Sequence, residues 1–463
     1  QHRTILSGDL NGDDTDPDAD GIIEDADPNQ DGRPENLQGG ENAHHVLLLD
    51  GGNRIGADLG ANVTRMTVID GMVITAGQAD EGTFEEDQGG GLFCDGYGDT
   101  NKCSPTLQNV VFVGNAASFR GGALLNSGEN NGTSSPRIKN AVFVGNAAEG
   151  RGGAIYNNGR IDGVSSPQIT NALFTKNASE EGGAIFNIRS NPSITNATIS
   201  DNTADSEGGA IFNRDASPDV RNTILWGNRA GSGGDEIHNT ISSVSLSHSI
   251  VQGGDGGIGG GTGFSDGSDN LDKDPQFVDA AVPAGPDEVF GTVDDGTNIY
   301  TSSPAVDAGD DGAVSVTEDL TGAPRRQDSD GNGTATVNIG AYEPAQTPPP
   351  PTADAVAPGA PYPGHPVRIS GSNFFEVSEV TYNGTSVAFT VESETTIRAR
   401  VPNGTTTDAS FEITAAEGTD TSPQVSLDSR AGLYGPRRTL AFDGSGDYVP
   451  TGASGSALGL VNE

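Results

Sequence analysis

Lysine, cysteine, methionine and tryptophan are nearly missing from this chain of 463 residues, which has four lysines (Lys102, Lys139, Lys176, Lys273), two cysteines, two methionines and one tryptophan. Lys and Arg number 24 against 65 Asp and Glu, a formal charge of −41. That balance excludes nucleic acid and anionic membrane surfaces as partners and favours cations. Two cysteines are too few for a zinc centre. No signal peptide and no apolar run long enough to span a bilayer is visible, so the chain is expected to be a mature or truncated product without direct membrane insertion. Apolar residues make up 33% while glycine contributes 68 positions, which leaves disorder or a thin repeating fold.

The glycines decide for a repeat, because they recur at fixed places. GGGLFCD (89–95), GGALLNS (121–127), GGAIYNN (152–158), GGAIFNI (182–188) and GGAIFNR (208–214) are five copies of one element. Each is followed by a second element ending in Asn: SPTLQNVVFVGN at Asn115, SPRIKNAVFVGN at Asn146, SPQITNALFTKN at Asn177, NPSITNATISDN at Asn202 and SPDVRNTILWGN at Asn228. Its central asparagine recurs as Asn109, Asn140, Asn171, Asn196 and Asn222, at spacings of 31, 31, 25 and 26. Short β-branched stretches divided by Gly, Asn and Pro cannot form helices, and this period suits one coil of three short strands. The reading is all-β: a right-handed parallel β-helix over 46–268, about eight coils and ~40 Å long at the usual strand spacing. Equivalent residues then stack, so the five central asparagines form a ladder of side-chain amides. Ile155, Ile185 and Ile211 form an inward row, and the extra residues of the longer coils form an edge loop. Cys94 and Cys103 bound that loop, and a disulfide between them is expected to tether a surface excursion in an oxidising compartment.

The repeats resemble the GGAI and FxxN repeats of chlamydial polymorphic outer-membrane proteins, with FVGN at 112–115 and 143–146 and FTKN at 174–177. That resemblance implies a β-helix at a bacterial surface. Residues 269–345 carry DPQF, SPAVDAG, DLTGAPR and NIGAYE in the order of bacterial choice-of-anchor β-helix proteins, and are expected to cap the open solenoid end. TPPPPTADAVAPGAP, within 346–361, reads as a stiff linker. Residues 362–428, with GSNF, VTYNGT and IRARVP, resemble an IPT/TIG immunoglobulin-like β-sandwich. The tail 429–463 is similar to the first strand of a laminin-G or concanavalin-like domain.

The acidic N-terminal segment, within 1–45, holds the strongest ligand pattern. Asp16, Asp18, Asp20 and Glu24 stand at calcium-loop positions with Gly21 at the turn, Asp27 follows, and Asn29 and Asp31 begin the pattern again, similar to thrombospondin type 3 repeats. Asp328, Asp330 and Asn332 are a weaker candidate, so Ca2+ is the expected cofactor and no organic one is. No lyase base in a positive groove and no carboxylate pair of glycosidase type stands out. Glu180, Glu181, Asp205 and Glu207 read as a solvated acidic edge. The function expected is a non-catalytic extracellular or surface protein, adhesive or matrix-forming, whose partner is extracellular matrix, a glycan or a cell-surface molecule. Two alternatives stand beside it: a filament subunit that polymerises by strand addition of the tail, and a carbohydrate-binding or polysaccharide-degrading protein.

Overall fold

The computed structural model describes residues 4–8, 42–51, 62–80, 87–260, 264–266, 269–344, 346–375, 377–415 and 418–427. They divide into two compact units, up to Pro348 and from Pro349 onward.

The first unit is a parallel β-helix. Each central coil contributes one strand to each of three parallel sheets of 12, 6 and 8 strands. In the coil running from Arg137, sheet 1 takes Arg137–Val144, sheet 2 takes Ala147–Arg151 and sheet 3 takes Ile155–Asn158. Registers are equally regular: Phe112 pairs with Phe143 and Phe143 with Phe174, while Ile155 pairs with Leu124 on one side and Ile185 on the other. Stacking like on like gives the core its character. The rings of Phe112, Phe143 and Phe174 lie 5.0 and 4.7 Å apart and nearly parallel, each pair stabilising the stack by about 1 kcal/mol beyond area burial.

The corners follow from two residue types. Asn109, Asn140, Asn171, Asn196 and Asn222 all have φ near +50°, a left-handed bend inside the sheet 1 strand that Asn tolerates better than most residues. At the paired glycines, the first (Gly152, Gly182) also has positive φ, while a Cβ on the second would collide with a main-chain carbonyl of the next coil.

Cys94 and Cys103 form a disulfide. Both are fully buried in the main core, and Cys94 pairs in register with Asn126. The bridge is therefore part of the coil interior, a correction to the expectation of a surface tether; only the loop it closes is at the surface.

The segment from Phe277 to Pro344 overturns the expectation of an end cap. Sheet 1 is apolar on its outer face as well as its inner one, through a row in which Val111, Val142, Leu173, Thr198, Ile224 and Ile250 succeed one another in register. Ala341, Tyr342, Phe290 and Leu320 pack on Val111, Val142 and Leu173, while Ile299, Ala305 and Ile339 pack on Ile224 and Ile250. The segment is a strap along the side of the solenoid, because that is where exposed apolar area would otherwise be largest. The C-terminal end of the stack is covered by other residues: Ile258–Gly260 pairs with Ile237–Asn239, Phe264–Asp266 pairs with Val244–Leu246, and Asn270 and Leu271 bond to Ser249 and Val251.

The second unit is a sandwich of two four-stranded antiparallel sheets around Val367, Ile369, Phe374, Val380, Tyr382, Ile397, Phe411 and Ile413. Its first strand is Thr352–Ala357, paired with Pro366–Ser372. The stretch read as linker thus holds a strand: alternating TADAVA inside the Pro-rich run supplies the edge that the sandwich needs.

Candidate functional site

Three polar columns run through the solenoid. In the outer one each central asparagine donates Nδ2 to the Oδ1 of the preceding coil: Asn222 to Asn196 (3.0 Å), Asn196 to Asn171 (3.4 Å), Asn171 to Asn140 (3.1 Å) and Asn140 to Asn109 (3.1 Å). Asn109 donates to the Asp70 carboxylate at 2.8 Å, which ends the column.

Two further columns escaped the sequence reading, although their residues close the repeated elements. Asn115, Asn146, Asn177, Asn202 and Asn228 are buried and donate the opposite way, each Nδ2 to the Oδ1 of the following coil at 2.9–3.0 Å. Asn228 Nδ2 then donates to Glu236 Oε2 at 2.6 Å. Asn126, Asn157, Asn187, Asn213 and Asn239 form the third column, with bonds of 2.8–2.9 Å. The signal was available in their recurrence at fixed places in the repeated elements.

Glu236 stands in register with the inward alanine row, between Ala210 and Gly257. Burial pushes its carboxyl up to about 8, against the pull of the Asn228 amide. Its Oε1 is buried with no partner among the described residues. The strap carries a second buried ionic group: Arg325 donates to Glu343 at 2.9 Å with both side chains fully enclosed, and its fork also reaches Asn171 Oδ1 and the Gly340 carbonyl. Burial pushes Glu343 up to about 8, with Arg325 pulling it down. These are the DLTGAPR and NIGAYE residues, and their chemistry is fastening the strap to the outer column.

Of the expected ligands, Asp16, Asp18, Asp20, Glu24, Asp27, Asn29 and Asp31 lie outside the described residues, as does the tail 429–463. Asp328 and Asp330 do come together, with Asp307 of the SPAVDAG motif as third member; one carboxylate oxygen from each lies within 4.8 Å of the others, so the cluster can hold a metal ion. Asn332 lies beside them. Its Oδ1 accepts the Thr334 N–H at 2.8 Å and its Nδ2 points at Asp330. Asp307 is raised by partial burial and by the adjacent Asp330 and Asp328 charges, while the Asn332 N–H lowers Asp330.

The acidic edge beside sheet 3 is only partly solvated. Glu181 takes Arg151 at 2.6 Å and Arg214 at 3.2 Å, and those guanidinium groups lie over the buried stack of Tyr156, Phe186 and Phe212. Among the described residues no helix is long and apolar enough to cross a membrane.

No curated protein matches the chain. Among solved structures, SGBP-B from a complex xyloglucan utilization locus in Bacteroides uniformis is 25% identical over 20% of this chain and 26% of its own, at a TM-score of 0.16. Gamma-CGTASE from Alkalophilic bacillus clarkii is likewise 25% identical over 21% of this chain and 16% of its own, at 0.17. The chain thus spans about a quarter or less of either protein, and at such scores neither likeness bears on the fold or function of the whole. Family models are more informative: residues 140–158 and 196–214 match the Chlamydia polymorphic membrane protein repeat, and residues 351–427 match the IPT/TIG domain.

Proposed function

We propose that this chain is a non-catalytic extracellular protein of a bacterial surface, adhesive or matrix-forming, in which the β-helix serves as a rigid stalk. The match of its coils to the polymorphic membrane protein repeat carries the reading. The core disulfide supports an oxidising compartment, and the charge of −41 keeps such a stalk soluble. Its partners are extracellular matrix, a glycan or another cell-surface molecule. Antibody labelling and protease shaving of intact cells test the location: the stalk is expected outside, and labelling only after lysis would overturn the reading. Incubation with a panel of polysaccharides tests the rest, because release of reducing ends or unsaturated products would make the protein an enzyme.

The ion at Asp307, Asp328 and Asp330 is Ca2+ in this reading, since three hard carboxylate oxygens on an exposed loop suit a cation that accepts irregular oxygen shells. Calcium is expected to raise the melting temperature of the strap, and Asp328→Asn together with Asp330→Asn to remove that increment. An equal increment in the variant would place the ion elsewhere.

A further inference from the structure

The outer column is used in two different ways along its length. Under the strap, its asparagines spend their spare hydrogen-bonding capacity on a main chain. Asn222 Nδ2 donates to the Asp310 carbonyl at 3.1 Å while Asn222 Oδ1 accepts the Asp310 N–H at 2.8 Å, a two-point grip on one residue's peptide groups. Asn171 repeats half of it, donating to the Glu318 carbonyl at 2.6 Å, with Arg325 on its oxygen. The strap then turns back at Thr321 and Gly322, where Asp319 accepts the N–H groups of Thr321 and Ala323.

Beyond that turn the column continues uncovered. Asn140 and Asn109 each bond only within the column and to Asp70, so each keeps one N–H and one carbonyl lone pair that no described residue takes. They open into a cleft of about 560 Å³ whose lining includes Val111 and Val142 on sheet 1, Phe290 and Leu320 on the strap, and the exposed carboxylates Asp70 and Glu318. Among the described residues no Lys or Arg lines it.

We infer that this bare stretch of the column is a docking site for an extended, basic polypeptide segment of a partner protein, gripped by its main chain at Asn109 and Asn140 as the strap is gripped at Asn222. An extended chain offers alternate faces. One set of side chains would meet the half-buried Phe290 and Leu320, while the other carries the positive charge that Asp70 and Glu318 call for. The site goes beyond the surface role proposed above and stands or falls without it, because it is tested on purified protein.

The probe is a short, end-blocked fluorescent peptide of alternating lysine and valine, titrated with the full chain and read by anisotropy. Saturable binding is expected. Methylating the main-chain nitrogens along one face of the peptide should weaken it about tenfold, roughly the worth of one hydrogen bond. Asn109→Gly should do the same, since glycine keeps the positive φ but removes the amide; an unchanged circular dichroism spectrum verifies its fold. Asp70→Asn keeps an acceptor for the column and should flatten the salt dependence. Absence of binding overturns the inference, as does equal affinity for the methylated peptide, which would mean charge attraction alone. Displacement of the peptide by a neutral oligosaccharide that itself loses affinity in Asn109→Gly would make the cleft a sugar site and overturn it as well.

Discussion

The outer and inner asparagine columns use one residue type at one set of spacings in the same coils, yet they differ in almost every consequence. Inner Asn177 is enclosed: its Nδ2 reaches Asn202 Oδ1 and the carbonyls of Phe143 and Thr175, and its Oδ1 takes both the N–H and the amide of Asn146. Outer Asn140 makes two bonds and faces a cleft. Closure turns the first into a fastener of the fold, whereas incomplete closure leaves the second with capacity for something outside the coil. Recurrence of asparagine alone therefore says nothing about role; the number of acceptors within reach does.

The largest effect expected from breaking that contrast is in the inner column. Asn177→Ala strands several buried main-chain and amide groups, and a loss of about 4 kcal/mol is expected in urea unfolding. Next comes the fastening of the strap: Arg325→Met leaves Glu343 enclosed without its cation, at a cost of about 3 kcal/mol. It should appear as new protease cuts within 277–344 while the coils stay resistant. The Arg325→Met result depends on the strap being held from the side, so cuts in the coils would contradict it.

A smaller effect is set by pH. The folded chain holds the Glu236 proton up to about pH 8 against an ordinary 4.5, so more protons are bound folded than unfolded between those values. Stability contributed by this carboxyl therefore falls as pH rises through that window and stays low above it. Glu236→Gln keeps the acceptor for Asn228 and should remove the fall, raising the melting temperature most at pH 8 and above; an identical pH profile in the variant would show that Glu236 is not the group responsible. The smallest effect belongs to the outer column, where Asn140→Gly preserves the bend and should cost about 1 kcal/mol or less in the same urea assay. If it matched Asn177→Ala, the contrast between the columns would be lost.

Much of the coil was readable from residue spacing. The recurrences that align Ile155, Ile185 and Ile211 also align the strands in the structure, and the NG turn at Asn383 and Gly384 joins paired strands of the sandwich. The strap was harder to read because its evidence is indirect: adjacent apolar residues in VVFV and ALFT mean that both faces of sheet 1 are covered, but not by what. Arg325 was invisible for a related reason. In DLTGAPRR it looks like an exposed pair, and only the distant Glu343 explains why one of the two is enclosed. Asp307 was missed at the metal cluster because it lies 21 residues before Asp328 in a different motif, and Thr352–Ala357 was hidden by the prolines around it.

The terminators at the two column ends also govern how such a molecule can change length over generations. Asp70 ends the outer column on its N-terminal side and Glu236 ends the inner column on its C-terminal side. Coils lie beyond both carboxyls, Thr4–Ser7 on Met72–Thr75 and Ile258–Gly260 on Ile237–Asn239, whereas a coil duplicated between the two carboxyls would find the same donor below and acceptor above. The relay thus accepts an added interior coil without any new partner, and the identical FVGNAA of residues 112–117 and 143–148 shows two adjacent coils that are interchangeable in this way.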